Sequence, residues 1–139
     1  MEVREVMSDR VIRVELDTSV REIAEVMRNG DVGSVPVVAN DKLVGMVTDR
    51  DIVIRGVASN DDLADVTAKD VMSFNLTYCY DDDTVEDALR IMATQQIRRL
   101  PVVTRDKRLS GIVSLGDLSQ EASPGAAGEA LERISEPEA

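Results

Sequence analysis

The chain has 139 residues, 27 of them acidic and 16 basic, for a formal net charge of −11. That sign argues against nucleic acid and anionic membranes, both of which need a basic footprint. Hydrophobic residues make up 43% and aromatics only 2%, so any core must be aliphatic. The chain has no histidine, which removes Ser-His and Cys-His catalysis and the commonest zinc ligand. The single cysteine, Cys79, permits no intrachain disulfide and fits a reducing cytoplasm. No apolar run approaches a membrane span, and the charged start "MEVREVMSDR" lacks a signal-peptide core.

In chain order, "VIRVEL" (Val11 to Leu16) has the composition of a strand. Ser19 followed by Glu22 predicts a helix N-cap with an acid at the third helical position. Val20, Ile23, Ala24 and Met27 then fall at i, i+3, i+4 and i+7, one apolar helical face. Two apolar strands follow, "VPVVA" over 35–39 and "LVGMVT" over 43–48, joined by the polar turn "NDK". Asp49 or Asp51 can cap a short helix through Ile52 and Ile54. A polar connector from Gly56 to Asp70 has a possible cap at Thr67.

The same order then returns. "EVMS" (Glu5 to Ser8) recurs as "DVMS" (Asp70 to Ser73), 65 residues on. "LTYCY" (Leu76 to Tyr80) is the second first strand. Thr84 with Asp87 is the second cap, and Val85, Ala88, Leu89 and Met92 form the second helical face. "LPVVT" (100–104) and "LSGIVS" (109–114) are the paired strands, with one residue inserted near Arg108. Each copy therefore reads strand, helix, strand, strand, helix. Neither is long enough for a secure core alone, so the two halves are expected to pack sheet to sheet as a pseudo-twofold α/β unit. The expected division is repeat 1 over 1–58, connector 59–69, repeat 2 over 70–122 and an acidic tail over 123–139. The tail is expected to be mobile, with at best a frayed helix at 129–135.

One pattern occurs in both copies: Gly45, Thr48, Asp51 and Gly111, Ser114, Asp117. A hydroxyl at a strand end can donate to a phosphate, an Asp can accept from a sugar diol, and Gly permits close backbone approach. The same residues are also an ordinary strand-end glycine and ordinary helix caps. With "DVMS", the helices after Thr18 and Thr84, and "VPVV"/"LPVV", these runs resemble a tandem cystathionine-β-synthase (CBS) domain pair, or Bateman module, over residues 3–121. The run "MVTDRDIVIRG" is similar to small stand-alone bacterial members, including the actinobacterial hypoxic-response type.

The resemblance implies a non-catalytic regulatory protein that binds adenosine derivatives (AMP, ADP or ATP) in two clefts between the halves, without cofactor or metal. One cleft would combine Thr48 and Asp51 with Ile97, Arg98 and Arg99. The other would combine Ser114 and Asp117 with Val32, Gly33 and Ser34. Arginine is suited to phosphate, so the cleft with Arg98 and Arg99 is the expected phosphate site. Alternation along a strand disfavours both arginines acting together. The resemblance further implies a homodimer, a four-repeat disc formed by the helices after Thr18 and Thr84 and those around 52–56 and 118–122. Since the chain ends soon after the module, its output is expected to act on an unidentified effector protein. A ligand-independent dimeric interaction or stress protein is the alternative. Asp81, Asp82 and Asp83 suggest pre-helix acids more than a metal site. Cys79 is expected to be a strand residue rather than a redox sensor, Met7, Met27, Met46, Met72 and Met92 core residues, and Tyr78 or Tyr80 either a base-stacking or a packing residue.

Overall fold

The computed structural model describes residues 1–121 and 125–135, the side chains of Ala126 and Ala127 apart. The chain forms two compact units, one of Ile12–Leu76 and one of Met1–Val11 together with the chain from Thr77 onward.

The first-repeat unit contains β1 (Val14–Glu15), α1 (Val20–Gly30), β2 (Ser34–Ala39), β3 (Lys42–Thr48), α2 (Asp49–Asp51) and α3 (Ala68–Val71), with α2 running on into a π-helical stretch at Ile52–Val57. Its sheet has the order β1-β2-β3. β1 is parallel to β2, with Val14 opposite Val37, and β2 is antiparallel to β3, with Val37 opposite Gly45. The "NDK" turn is a two-residue hairpin. Asn40 and Asp41 take φ of 53° and 65°, the left-handed pair that matches strand twist and suits Asn and Asp. The Ser19 hydroxyl accepts the Glu22 N–H at 3.2 Å, as the sequence predicts. Val20, Ile23 and Met27 are buried with Val35, Val37 and Val47. Ala24, expected on that face, is exposed instead.

The second-repeat unit contains β4 (Cys79–Tyr80), α4 (Val85–Gln95), β5 (Arg99–Val103), β6 (Leu109–Ser114), α5 (Leu115–Ser119) and α6 (Ala126–Ile134). Its sheet, β4-β5-β6, has the same parallel and antiparallel pairings. α4 is capped by Thr84 and Asp87 in reciprocal hydrogen bonds of 3.1 and 3.3 Å. Val85, Ala88, Leu89 and Met92 are all buried.

Both expected first strands are shorter than their composition suggests. Only Val14–Glu15 and Cys79–Tyr80 pair. At the end of β1, Glu15 donates its N–H to the Thr18 hydroxyl at 2.9 Å, and the chain turns toward α1. At the end of β4, Tyr80 donates its N–H to the Asp83 carboxylate at 2.8 Å.

The short "VMS" segments finish the sheets. Ser73 exchanges two backbone bonds with Met46 on β3, at 2.8 and 3.1 Å; Ser8 exchanges two with Ile112 on β6, both 2.9 Å. Each unit's sheet edge is thus closed by the segment that leads the other repeat in sequence. The motif glycines make this possible. A Cβ on Gly45 would lie 2.6 Å from Met72 Sδ, and one on Gly111 would lie 2.5 Å from Met7 Sδ and 2.8 Å from the Ser8 carbonyl. The close backbone approach expected of these glycines is toward the exchanged segment.

The expected tail helix is found earlier and firmer than its composition suggests. α6 starts at Ala126, and Ala130 is buried in the core with Leu89 and Ala93 of α4. The Gln96 amide donates to the Arg133 carbonyl at 3.0 Å. The remainder of the expected tail, 123–124 and 136–139, lies outside the described residues. No helix among the described residues is long and apolar enough to cross a membrane.

Candidate functional site

The paired motif begins as a capping device. The Thr48 hydroxyl accepts the Asp51 N–H at 3.1 Å, and the Asp51 carboxylate accepts the Thr48 N–H at 2.9 Å. Ser114 and Asp117 repeat this at 3.1 and 3.0 Å. The cap is therefore the hydroxyl residue, with the Asp at the third helical position, and not Asp49 or Asp51 as the sequence suggested. A hydroxyl that accepts keeps its own proton to donate, and a carboxylate with one oxygen engaged keeps acceptor capacity on the other. The box holds both groups in fixed orientation and leaves each with one free function.

Each cap stands beside the residues that open its own repeat's central strand. Ser34 pairs with Thr48, and Arg99 pairs with Ser114. One residue earlier, the Gly33 carbonyl accepts the Asp49 N–H at 2.9 Å, and the Arg98 carbonyl accepts the Leu115 N–H at 2.8 Å. The backbones match; the chemistry does not. In the first-repeat unit the cap adjoins Gly33, Ser34 and the Asp49 carboxylate, whose Oδ2 lies 3.2 Å from where a Gly33 Cβ would be. In the second-repeat unit the matching places hold Arg98, Arg99 and Leu115. Val32 and Ile97, also expected to contact ligand, pack against the cores of their own units.

A cavity of about 470 Å³ lies at the second cap, lined by Arg98, Arg99, Ser114 and Leu115 among others. Both arginines line it, against the expectation from strand alternation. Arg98 precedes β5 and so escapes the alternation that constrains residues within it. Among the described residues neither guanidinium has an acidic partner. The acids of "DDDT" are engaged elsewhere. Asp82 pairs with Arg105 at 2.8 Å, Asp81 lies 3.8 Å from Arg4, and Asp83 takes the Tyr80 N–H. The Arg105 hydrogen bond holds the Asp82 carboxyl below the usual range.

The tyrosines are likewise committed within their unit. Their rings meet edge to face with centroids 5.7 Å apart. The Arg105 guanidinium lies 4.0 Å from the Tyr80 ring centroid, and the Lys107 ammonium 4.2 Å from that of Tyr78, to whose hydroxyl it also donates. These are cation–π distances. Nothing in the sequence marked this cluster, because Arg105 and Lys107 sit in a hairpin loop whose length differs between the repeats. Cys79 is buried at the edge of the core, and burial together with Asp83 and Asp81 pushes its thiol up to about 12. Such a thiol is inert at neutral pH.

Comparison with known proteins accords with this architecture. The family model described as "CBS domain" matches residues 3–58 and again 68–123. The chain is 40% identical over 134 residues to the CBS domain-containing protein YhcV of Bacillus subtilis, covering 96% of this chain and 94% of that one. It is 34% identical over 118 residues to hypoxic response protein 1 of Mycobacterium tuberculosis, covering 84% and 82%. A crystal structure of CBSX2 in complex with AMP superposes with a TM-score of 0.73 at 28% identity, covering 86% of this chain and 94% of that one. Two matched domains, each a three-stranded sheet with a capping box at its last strand, leave one conclusion: this chain belongs to the CBS-domain family and carries a pair of its domains.

Proposed function

We propose that the protein is a non-catalytic regulatory module that binds an adenosine-containing nucleotide of the AMP, ADP and ATP class and passes its occupancy to a partner protein. The observation that carries this reading is the placement of Arg98 and Arg99. In a chain of net charge −11, two arginines stand without an acidic partner among the described residues and line one cavity with the Ser114 hydroxyl. Guanidinium groups left over in an acidic protein, next to a hydroxyl donor, suit a phosphate. In this reading the Asp117 carboxylate, which accepts the Ser114 N–H, is the acceptor for a ribose diol. The AMP complex of a structural relative supports the ligand class. The matching cap, Thr48 with Asp51, has an acid and a glycine where the second has arginine and leucine. The expected grouping set Arg98 and Arg99 with Thr48 and Asp51; the cavity they line holds Ser114 instead.

Thermal melting tests this. Only native-state binding raises stability, by about 2.7 kcal/mol at a hundredfold excess over Kd. AMP, ADP or ATP should raise the melting temperature, and Arg98→Ala or Arg99→Ala should cut affinity roughly 10- to 100-fold, the loss of a hydrogen bond to a charged group. No shift with any of the three nucleotides would refute the proposal.

Self-association is a second reading with its own support. Val53, Ile54 and Val57 on the π-helical stretch are 59%, 44% and 54% exposed. Val57 lines a groove with Arg21, Ala24, Glu25 and Arg28 of α1. Apolar groups clustered on one surface mark an interface, and the occupant proposed is a second copy of the chain.

A further inference from the structure

The cavity beside Arg98 and Arg99 has a wall that the repeat pattern does not supply. Gly128 and Leu131 of α6 face it across from Ser114 and Leu115. Residues three apart share a helix face; Ile134, one turn on, packs against the core, while Gly128 and Leu131 line the cavity. Ala130 is buried against α4, whereas Leu131 leaves 42% of its surface exposed. A large aliphatic group held in the open at a cavity rim has surface to gain by covering a ligand.

Gly128 sharpens the point. Gly128 lies in the first turn of α6, and a helical glycine costs up to about 0.5–1 kcal/mol relative to alanine. Here φ is not in the left-handed region, and an added Cβ would meet nothing within 4 Å, so neither conformation nor crowding calls for glycine. The missing side chain leaves open space against the cavity. In its lining the cavity therefore combines two cations and a hydroxyl with Leu115, Leu131 and a bare stretch of helix. Its volume of about 470 Å³ falls in the usual range of small-molecule sites, about 300–1,000 Å³.

We propose that α6 is the base-contacting wall of the nucleotide site: Leu131 covers a face of the purine and Gly128 leaves room for the ring. This rests on the nucleotide reading above and adds to it a segment outside both repeats. Ligand then clamps α6 onto its unit, so that occupancy is reported at the helix.

The test is calorimetric titration of AMP, ADP and ATP into the intact chain, Leu131→Asp, Gly128→Leu and Arg98→Ala. Leu131 is a rim residue, so Leu131→Asp should fold normally and bind at least about tenfold more weakly. Gly128→Leu should hold or raise the melting temperature, because leucine is the better helix former, yet also bind at least about tenfold more weakly by filling the space for the ring. A merely structural α6 would not pair raised stability with lost binding. If the intact chain binds and Arg98→Ala weakens it while both α6 variants bind as the intact chain does, the α6 wall is refuted and the nucleotide reading stands. If the intact chain binds none of the three nucleotides, both fall.

Discussion

Cys79 shows how a residue's surroundings decide its chemistry. Its burial and then its neighbours Asp83 and Asp81 all oppose the thiolate, raising the thiol from 9.0 to about 12. Above pH 9 the unfolded chain loses a proton that the native chain keeps, so stability falls as pH rises from about 9 toward 12. The slope is at most about 1.4 kcal/mol per pH unit. Denaturant unfolding across that range should show this decline in the intact protein and lose that component in Cys79→Ala. Equal slopes would mean the thiol is not protected. Residue identities alone gave the inert reading, since no histidine or second thiol is present to activate Cys79. The environment of Arg98 and Arg99 was less accessible. Alternation correctly describes strand interiors, but whether Arg98 lies inside the strand is set by pairing with β6, which a linear pattern does not contain.

At the scale of elements, helices α1 and α4 were legible because their signals are local: caps at Ser19 and Thr84, and apolar residues at helical spacing. The first strands were over-read because β propensity reports suitable side chains, whereas strand length depends on a partner. α6 was under-read for a related reason. Its seat is Leu89 and Ala93 on α4, where α1 has Ala24 and Arg28 at the matching places. These two differences create an apolar landing in one repeat and leave a groove in the other. The exchanged edge segments yield a graded prediction. Gly111→Ala brings a methyl 2.8 Å from a backbone carbonyl, while Gly45→Ala meets its nearest backbone atom at 3.2 Å and otherwise a flexible methionine. Overpacking costs about 1–3 kcal/mol, and Gly111→Ala should lie at the upper end, with Gly45→Ala measurably milder in the same unfolding assay. The reverse order would show that these glycines do not serve the edge contacts.

At the scale of the whole molecule, the exchange of the "VMS" segments means that neither repeat is a complete folding unit as it runs in sequence. The repeat boundaries near 58 and 70 mark similarity, whereas the compact units change over at 11–12 and 76–77. The exposed π-helical face bears on assembly. If Val53, Ile54 and Val57 meet a second copy, sedimentation should give a dimer that Val57→Asp converts to monomer without loss of secondary structure; an intact protein that sediments as a monomer at all concentrations would exclude this face as a self-interface. The acidic charge of −11 makes the two arginines that have no acidic partner among the described residues the centre of the functional account. Its most direct test is a crystal structure grown with AMP. The account predicts the phosphate between Arg98, Arg99 and Ser114, the ribose at Asp117 and the purine against Leu131. AMP bound with its phosphate away from both arginines, or a cavity left empty at saturating AMP, would contradict it.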